Sequence, residues 1–128
     1  MKHVMMSILT ALGLGTSSCA RQESVTSVDA NHFENAIHAN SVQLIDVRSA
    51  NEYAEGHIAH AANIDALQND FLAKAQRSLS KKKPAYVYCR SGKRSMMAAN
   101  KLAKAGYKVI NLRGGILEWM DAGKPVNQ

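Results

Sequence analysis

Between Tyr86 and Met96 the chain reads as a strand, a cysteine, a short basic loop and then a helix. The run Ala85 to Tyr88 is apolar and aromatic. It follows Lys81-Lys82-Lys83-Pro84, a charged stretch closed by a breaker, and so reads as a strand. From Ser95 to Ala105, the residues Met96, Met97, Ala99, Leu102 and Ala103 give a helix an apolar face. Gly106 stands at the position just past that helix, and Lys101 and Lys104 lie in its last turns, where the helix dipole favours cations. Cys89 therefore lies at the joint between a strand and a helix.

The rest of the chain repeats this alternation. Asp29 can cap a helix that presents Phe33 and Ile37 on one face. Ser41 to Val47 is expected as a strand, Ala50 to Gly56 as a short helical or irregular excursion and Ala61 to Ile64 as a further short strand. Asp65 is expected to cap a helix from Ala66 to Leu79 that buries Leu67, Phe71, Leu72 and Ala75. Tyr107 to Leu112 supplies the last strand, and Arg113-Gly114-Gly115 turns into a final helix packed through Trp119. Strands alternating with helices imply an α/β fold: one domain with a central parallel sheet of about five strands and helices on both faces.

The joint has chemical consequences. N–H groups of the loop and of the first helical turn lack backbone partners and can converge on the Cys89 sulfur, as they do on anions at other helix N-termini. Arg90, Lys93 and Arg94 add positive charge, and Gly92 permits a left-handed turn or close backbone approach. Together these favour the thiolate, the nucleophilic form. An inert cysteine buried behind a core strand is the bland alternative.

Cys89-Arg90-Ser91-Gly92-Lys93-Arg94 resembles the active-site loop of single-domain rhodaneses, which are sulfurtransferases. Other blocks agree in order. Leu44-Ile45-Asp46-Val47-Arg48 resembles that family's strand ending in Asp-Val-Arg, and Glu52-Tyr53-Ala54-Glu55-Gly56-His57-Ile58 its Glu-Phe-x-x-Gly-His-Ile segment. Asn111-Leu112-Arg113-Gly114-Gly115 with Trp119 is similar to its closing segment, and the resemblance runs from Val25 to Val126. It departs at His60, where a glycine commonly stands before Ala61.

The resemblance implies that Cys89 is the nucleophile and that Arg90, Ser91, Gly92, Lys93, Arg94 and Ser95 bind the substrate. Asp46 and Arg48 then support the pocket edge, and His57 is structural rather than a metal ligand. The implied reaction is double displacement. The Cys89 thiolate takes a sulfane sulfur from thiosulfate or a similar anionic donor, and a thiol or cyanide removes it from the persulfide. No metal or organic cofactor is implied. Related phosphatases place five residues between cysteine and arginine, whereas four separate Cys89 from Arg94. That leaves a small phosphatase or arsenate reductase as a lesser reading. A persulfide carrier acting with a partner protein is the alternative from another functional class.

Residues 1–20 resemble an export signal. Lys2 precedes Val4 to Leu14, an apolar run too short to span a membrane, and Gly15-Thr16-Ser17-Ser18-Cys19-Ala20 follows. Two cleavage readings stand: an ordinary signal peptidase site, or a bacterial lipoprotein signal with Cys19 as the lipidated residue. The lipoprotein reading is preferred, although Thr16 departs from the usual bulky apolar residue. The expected location is the bacterial periplasm or a membrane to which the lipid holds the protein. Residues 21–27 read as a polar tether and 28–126 as the rhodanese-like domain. After such cleavage Cys89 is the one thiol of the domain, which excludes a disulfide scaffold.

With 128 residues there is room for one core. The net charge of +6 could indicate a nucleic-acid surface, but the charges are scattered and aromatic residues few. A local anion pocket on a solvated surface fits better, with Lys81-Lys82-Lys83 as a solvated connection. No Gly-x-Gly-x-x-Gly, phosphate-binding Gly-x-x-x-x-Gly-Lys or Gly-x-Ser-x-Gly motif is present.

Overall fold

Residue parity along the strands divides the core into two halves. Ile45, Val47, Val87, Cys89 and Val109 point to one face of the sheet, where they pack with Phe71, Ala75, Ala98, Ala99 and Leu102. Leu44, Tyr88 and Leu112 point to the other, where they meet Ala30, Phe33, Ile116 and Trp119. Such two-sided burial is why the central strands read as continuous apolar runs. The architecture is seen in a computed structural model that describes residues 24–39 and 41–128.

In chain order the elements are β1 (Val25–Val28), α1 (Ala30–Ala39), β2 (Gln43–Asp46), α2 (Ala50–Glu55), β3 (Ala62–Asn63), α3 (Phe71–Ser78), β4 (Ala85–Tyr88), α4 (Lys93–Lys104), β5 (Val109–Leu112) and α5 (Gly115–Asp121). The five strands form one sheet in the order β1-β5-β4-β2-β3, parallel throughout. α3 and α4 cover one face; α1 and α5 cover the other. The C-terminal ends of β2 and β4 lie side by side, with Asp46 in register with Tyr88. Asp46 and Cys89 thus come to the same edge.

Several boundaries differ from expectation. The expected tether 21–27 contains part of a strand, because Val25–Val28 pairs with Val109–Leu112 at the sheet edge. Its mixed polar and β-branched residues suit a half-covered edge strand. The helix expected from Ala66 starts at Phe71 instead. Asp65 does accept a hydrogen bond from the Leu67 N–H at 2.9 Å, but it closes a local turn rather than capping a helix. Leu67, expected to be buried, is 62% exposed. α4 begins at Lys93, so Lys93 and Arg94 belong to its first turn. At its far end the Tyr107 N–H reaches Leu102 O and the Gly106 N–H reaches Ala103 O, with Gly106 at φ 104°; this Schellman arrangement needs the glycine. The expected signal of residues 1–20, including Cys19, lies outside the described residues.

Candidate active site

Cys89 leaves the end of β4 and is buried, with 1% exposure. Its Sγ accepts a hydrogen bond from the Gly92 N–H at 3.1 Å, and the thiol donates to Ser95 Oγ at 3.4 Å. Ser95, fully buried in the first turn of α4, donates in turn to Gly92 O at 3.2 Å. The sulfur therefore meets one backbone N–H and one hydroxyl, rather than a full set of converging amides. Ser95 lies against the sulfur itself, while Arg90, Ser91 and Lys93 are exposed.

The loop's shape is imposed by neighbouring backbone. Gly92 has φ 107° and Gly115 has φ 66°. A side chain at Gly92 would overlap the Arg113 carbonyl oxygen, and one at Gly115 would overlap that of Arg90. Close approach lets the first N–H groups of α5 reach the loop: Ile116 donates to Cys89 O at 2.9 Å and Leu117 to Arg90 O at 3.1 Å. Donors left free at a helix start are spent here on fixing the carbonyls that flank the cysteine.

Arg94, expected to receive the anionic donor, is engaged elsewhere. Its Nη1 and Nη2 fork onto Glu52 Oε1 and Oε2 at 2.7 and 2.9 Å. Glu52 also closes a capping box at the start of α2, accepting from the Ser49 N–H at 3.0 Å while Ser49 Oγ accepts from the Glu52 N–H. The Arg94 hydrogen bonds, helped by Ser49, pull the Glu52 carboxyl down to about 2. The pairing in turn raises Arg94 above its ordinary value. Bidentate charge-assisted pairing fixes a guanidinium's direction as well as its charge. Arg94 thus joins α4 to α2 across the mouth of the loop. Arg90 and Lys93 carry the charge left exposed there.

Asp46 and Arg48 form a second pair, deeper and more enclosed. Arg48 Nε donates to Asp46 Oδ1 at 2.9 Å and Nη2 to Oδ2 at 2.6 Å. Nη2 also reaches Gly56 O at 2.6 Å, and Asn63 Nδ2 ties the carbonyls of Asp46 and Arg48 at 3.0 and 2.9 Å. Burial, the largest single influence, opposes the Arg48 charge, but the hydrogen bonds and charge of Asp46, joined by Tyr88 and Glu52, together outweigh it and the guanidinium is held more firmly protonated. The side chain of Tyr88 lies beneath. Its hydroxyl accepts from the Ile58 N–H at 3.0 Å, and burial pushes the phenol far above its ordinary range. Asp46 and Arg48 thus tie the end of β2 to the Gly56 carbonyl.

A cleft of about 330 Å³ opens beside the loop, between Arg48, Glu52, Arg90, Leu117 and Met120. A larger hollow of about 440 Å³, among Ile37, Leu44, Ile58 and Trp119, has no loop residue in its lining. His57 stacks on Tyr53 with ring centroids 3.8 Å apart, and its Nδ1 lies 2.9 Å from Tyr53 O, a structural placement. His60 adopts φ 72°, the left-handed conformation for which a glycine would be the ordinary choice. Arg113 donates to Ser27 O at 3.2 Å on the neighbouring strand. Sequence reading missed Glu118, whose carboxylate takes the N–H groups of Gly114 at 3.1 Å and Ala30 at 2.8 Å and so steadies the turn behind the loop. The i, i+4 spacing of Gly114 and Glu118 was its only local sign.

The rhodanese-like domain family model matches residues 29–122. Among curated relatives, thiosulfate sulfurtransferase 18 of Arabidopsis thaliana is 33% identical over 123 residues, covering 87% of this chain and 90% of its own. The putative sulfur carrier protein YrkF of Bacillus subtilis is 30% identical over 107 residues, covering 82% of this chain and 56% of its own. Among solved structures, a rhodanese-related protein from Thermoplasma volcanium superposes with a TM-score of 0.70 at 29% identity, covering 80% of this chain and 97% of that one.

Proposed function

The chain belongs to the rhodanese-like family, whose sulfurtransferase members support sulfur transfer in general, and from that premise we propose that it moves a sulfane sulfur through a persulfide on Cys89. The observation that carries this reading is the Cys89 sulfur itself, held at the end of β4 by the Gly92 N–H and the Ser95 hydroxyl. The thiolate attacks the outer sulfur of thiosulfate, the S–S bond breaks, and sulfite leaves with the electron pair. A second nucleophile, a thiol or cyanide, then attacks the terminal persulfide sulfur and restores the thiolate. The Gly92 N–H is placed to stabilise negative charge near the sulfur, as an oxyanion-hole donor does. Arg90 and Lys93 supply the positive field for an anionic donor.

The commitment of both terminal nitrogens of Arg94 to Glu52 favours sulfur over phosphate, because a phosphoryl-cradling arginine must face the ester. A second reading, a persulfide carrier that waits for a protein acceptor, is favoured by the name of the YrkF relative. Residues 1–20 support export, and Cys19 supports attachment to a membrane through a lipid.

Steady-state thiocyanate formation from thiosulfate and cyanide tests the enzyme reading. Parallel double-reciprocal lines are expected from a ping-pong enzyme. Stoichiometric loading without turnover would replace the enzyme with the carrier. Absence of any loading, with phosphate-ester hydrolysis present, would replace both.

A further inference from the structure

The N-terminal ends of the strands lie opposite the Cys89 loop. At the N-terminal ends of β4 and β5, the side chains Lys81, Lys82, Lys83 and Lys108 line a concavity of about 430 Å³ with Ser24 and Tyr107. All four lysines are exposed, and among the described residues no carboxylate lines the concavity. α3 and α4 each lead from the C-terminal edge of the sheet back to its N-terminal edge. Their last turns therefore bring Arg77, Lys101 and Lys104 to the same end.

The lysine loop is held rather than loose. Gln43 Oε1 accepts from the Ser80 N–H at 2.6 Å, and its Nε2 donates to Ser80 O at 3.0 Å and Lys83 O at 3.1 Å. Ser80 Oγ accepts from the Lys82 N–H at 3.1 Å, and Lys81 Nζ lies 5.5 Å from the Tyr107 ring centroid. These bonds hold the loop backbone, so three successive lysines stay beside Lys108 and their like charges add to one positive field. The spread of the charges along an edge suits a layer of anions better than one small ion. The chain also enters the domain here. Ser24 O accepts from the Val109 N–H at 2.7 Å, and residues 1–23, with the apolar run Val4 to Leu14, join at Ser24.

We propose that this lysine-lined edge docks on the anionic headgroups of a lipid surface. This rests on the export and lipid reading of residues 1–20: with the chain leading to the membrane from Ser24, the positive charge faces the bilayer and the Cys89 loop, at the opposite ends of the strands, faces away towards soluble donors and acceptors. Electrostatic attraction between lysines and anionic lipid is short-ranged and screened by salt. This docking is independent of the sulfur-transfer reading.

The test uses the full chain and sedimentation with phosphatidylcholine vesicles, with and without phosphatidylglycerol. Phosphatidylglycerol should raise partitioning by about tenfold or more at low salt, and high salt should remove the increment. The variant Lys81→Glu/Lys83→Glu/Lys108→Glu should lose that increment and bind as on neutral vesicles. The milder Lys81→Gln/Lys83→Gln/Lys108→Gln should lose most of it while conserving the fold by circular dichroism. Both should load sulfur on Cys89 as the unmodified chain does. Equal binding of the unmodified and variant chains to anionic vesicles would overturn the proposal. So would displacement by dilute inorganic phosphate, which would mark a small-anion site, or tighter binding to duplex DNA than to vesicles.

Discussion

On its α5 side the Cys89 loop is held by backbone, and on its α2 side by a side-chain ion pair. The first side is made of the Ile116 and Leu117 amides and of the contacts that Gly92 and Gly115 permit. The second is the fork of Arg94 on Glu52, whose side chains remain 24% and 28% exposed. Backbone contacts of this kind have one workable geometry, so they set where the sulfur sits. An ion pair at partial exposure is weaker and adjustable, so it sets how much charge a donor meets. The difference separates residues that build the site from residues that tune it.

Gly115→Ala should be the largest perturbation of the backbone side. Overlap with Arg90 O and a left-handed backbone together predict a loss of about 3 kcal/mol in urea unfolding, with slower sulfur loading. Gly123→Ala is its control. Gly123 has φ 78° but nothing within 4 Å of an added methyl, so strain alone should cost about 1 kcal/mol and leave loading unchanged. Equal costs at the two glycines would break the steric half of the comparison.

On the ion-pair side, Glu52→Gln should cost only about 0.5 to 1 kcal/mol. It should also release Arg94 and lower the KM for thiosulfate in steady-state assays. An unchanged KM would show that Arg94 remains directed away from the donor without its partner. The pH dependence refines this. Because the folded Glu52 carboxyl is depressed from 4.5 to about 2, its contribution to stability is complete above about 4.5 and fades as pH falls through about 2. The stability gap between the unmodified chain and Glu52→Gln should narrow over that window in acid unfolding curves. A gap that stays constant would mean the pair does not hold the carboxylate.

Local signals carried much of this architecture. Parity and breakers marked β4, Gly106 marked the end of α4, and the Cys-to-Arg block marked the loop. Asp46 and Arg48 were singled out together through the Asp-Val-Arg block, and being two residues apart they need no distant element to meet. Glu52 and Arg94 are 42 residues apart, and only the folded sheet brings them into contact. The Ser49-x-x-Glu52 capping pattern went unread, and nothing local announced the second partner of Glu52. β1 was hidden for a different reason: Thr26 and Ser27 make an edge strand look like a tether until β5 supplies its ladder. Asp65 misled because the same carboxylate that caps helices also closes short turns.

The most direct test of sulfur transfer is the intact mass of the reduced protein after thiosulfate, measured again after cyanide and repeated with Cys89→Ser. Sulfur transfer through Cys89 predicts a gain of one sulfur on the unmodified chain, its loss to cyanide as thiocyanate, and no gain in Cys89→Ser. An unchanged mass with a reduced and alkylatable Cys89 would contradict thiosulfate as donor, and a gain that persists in Cys89→Ser would contradict Cys89 as the carrier of the sulfur.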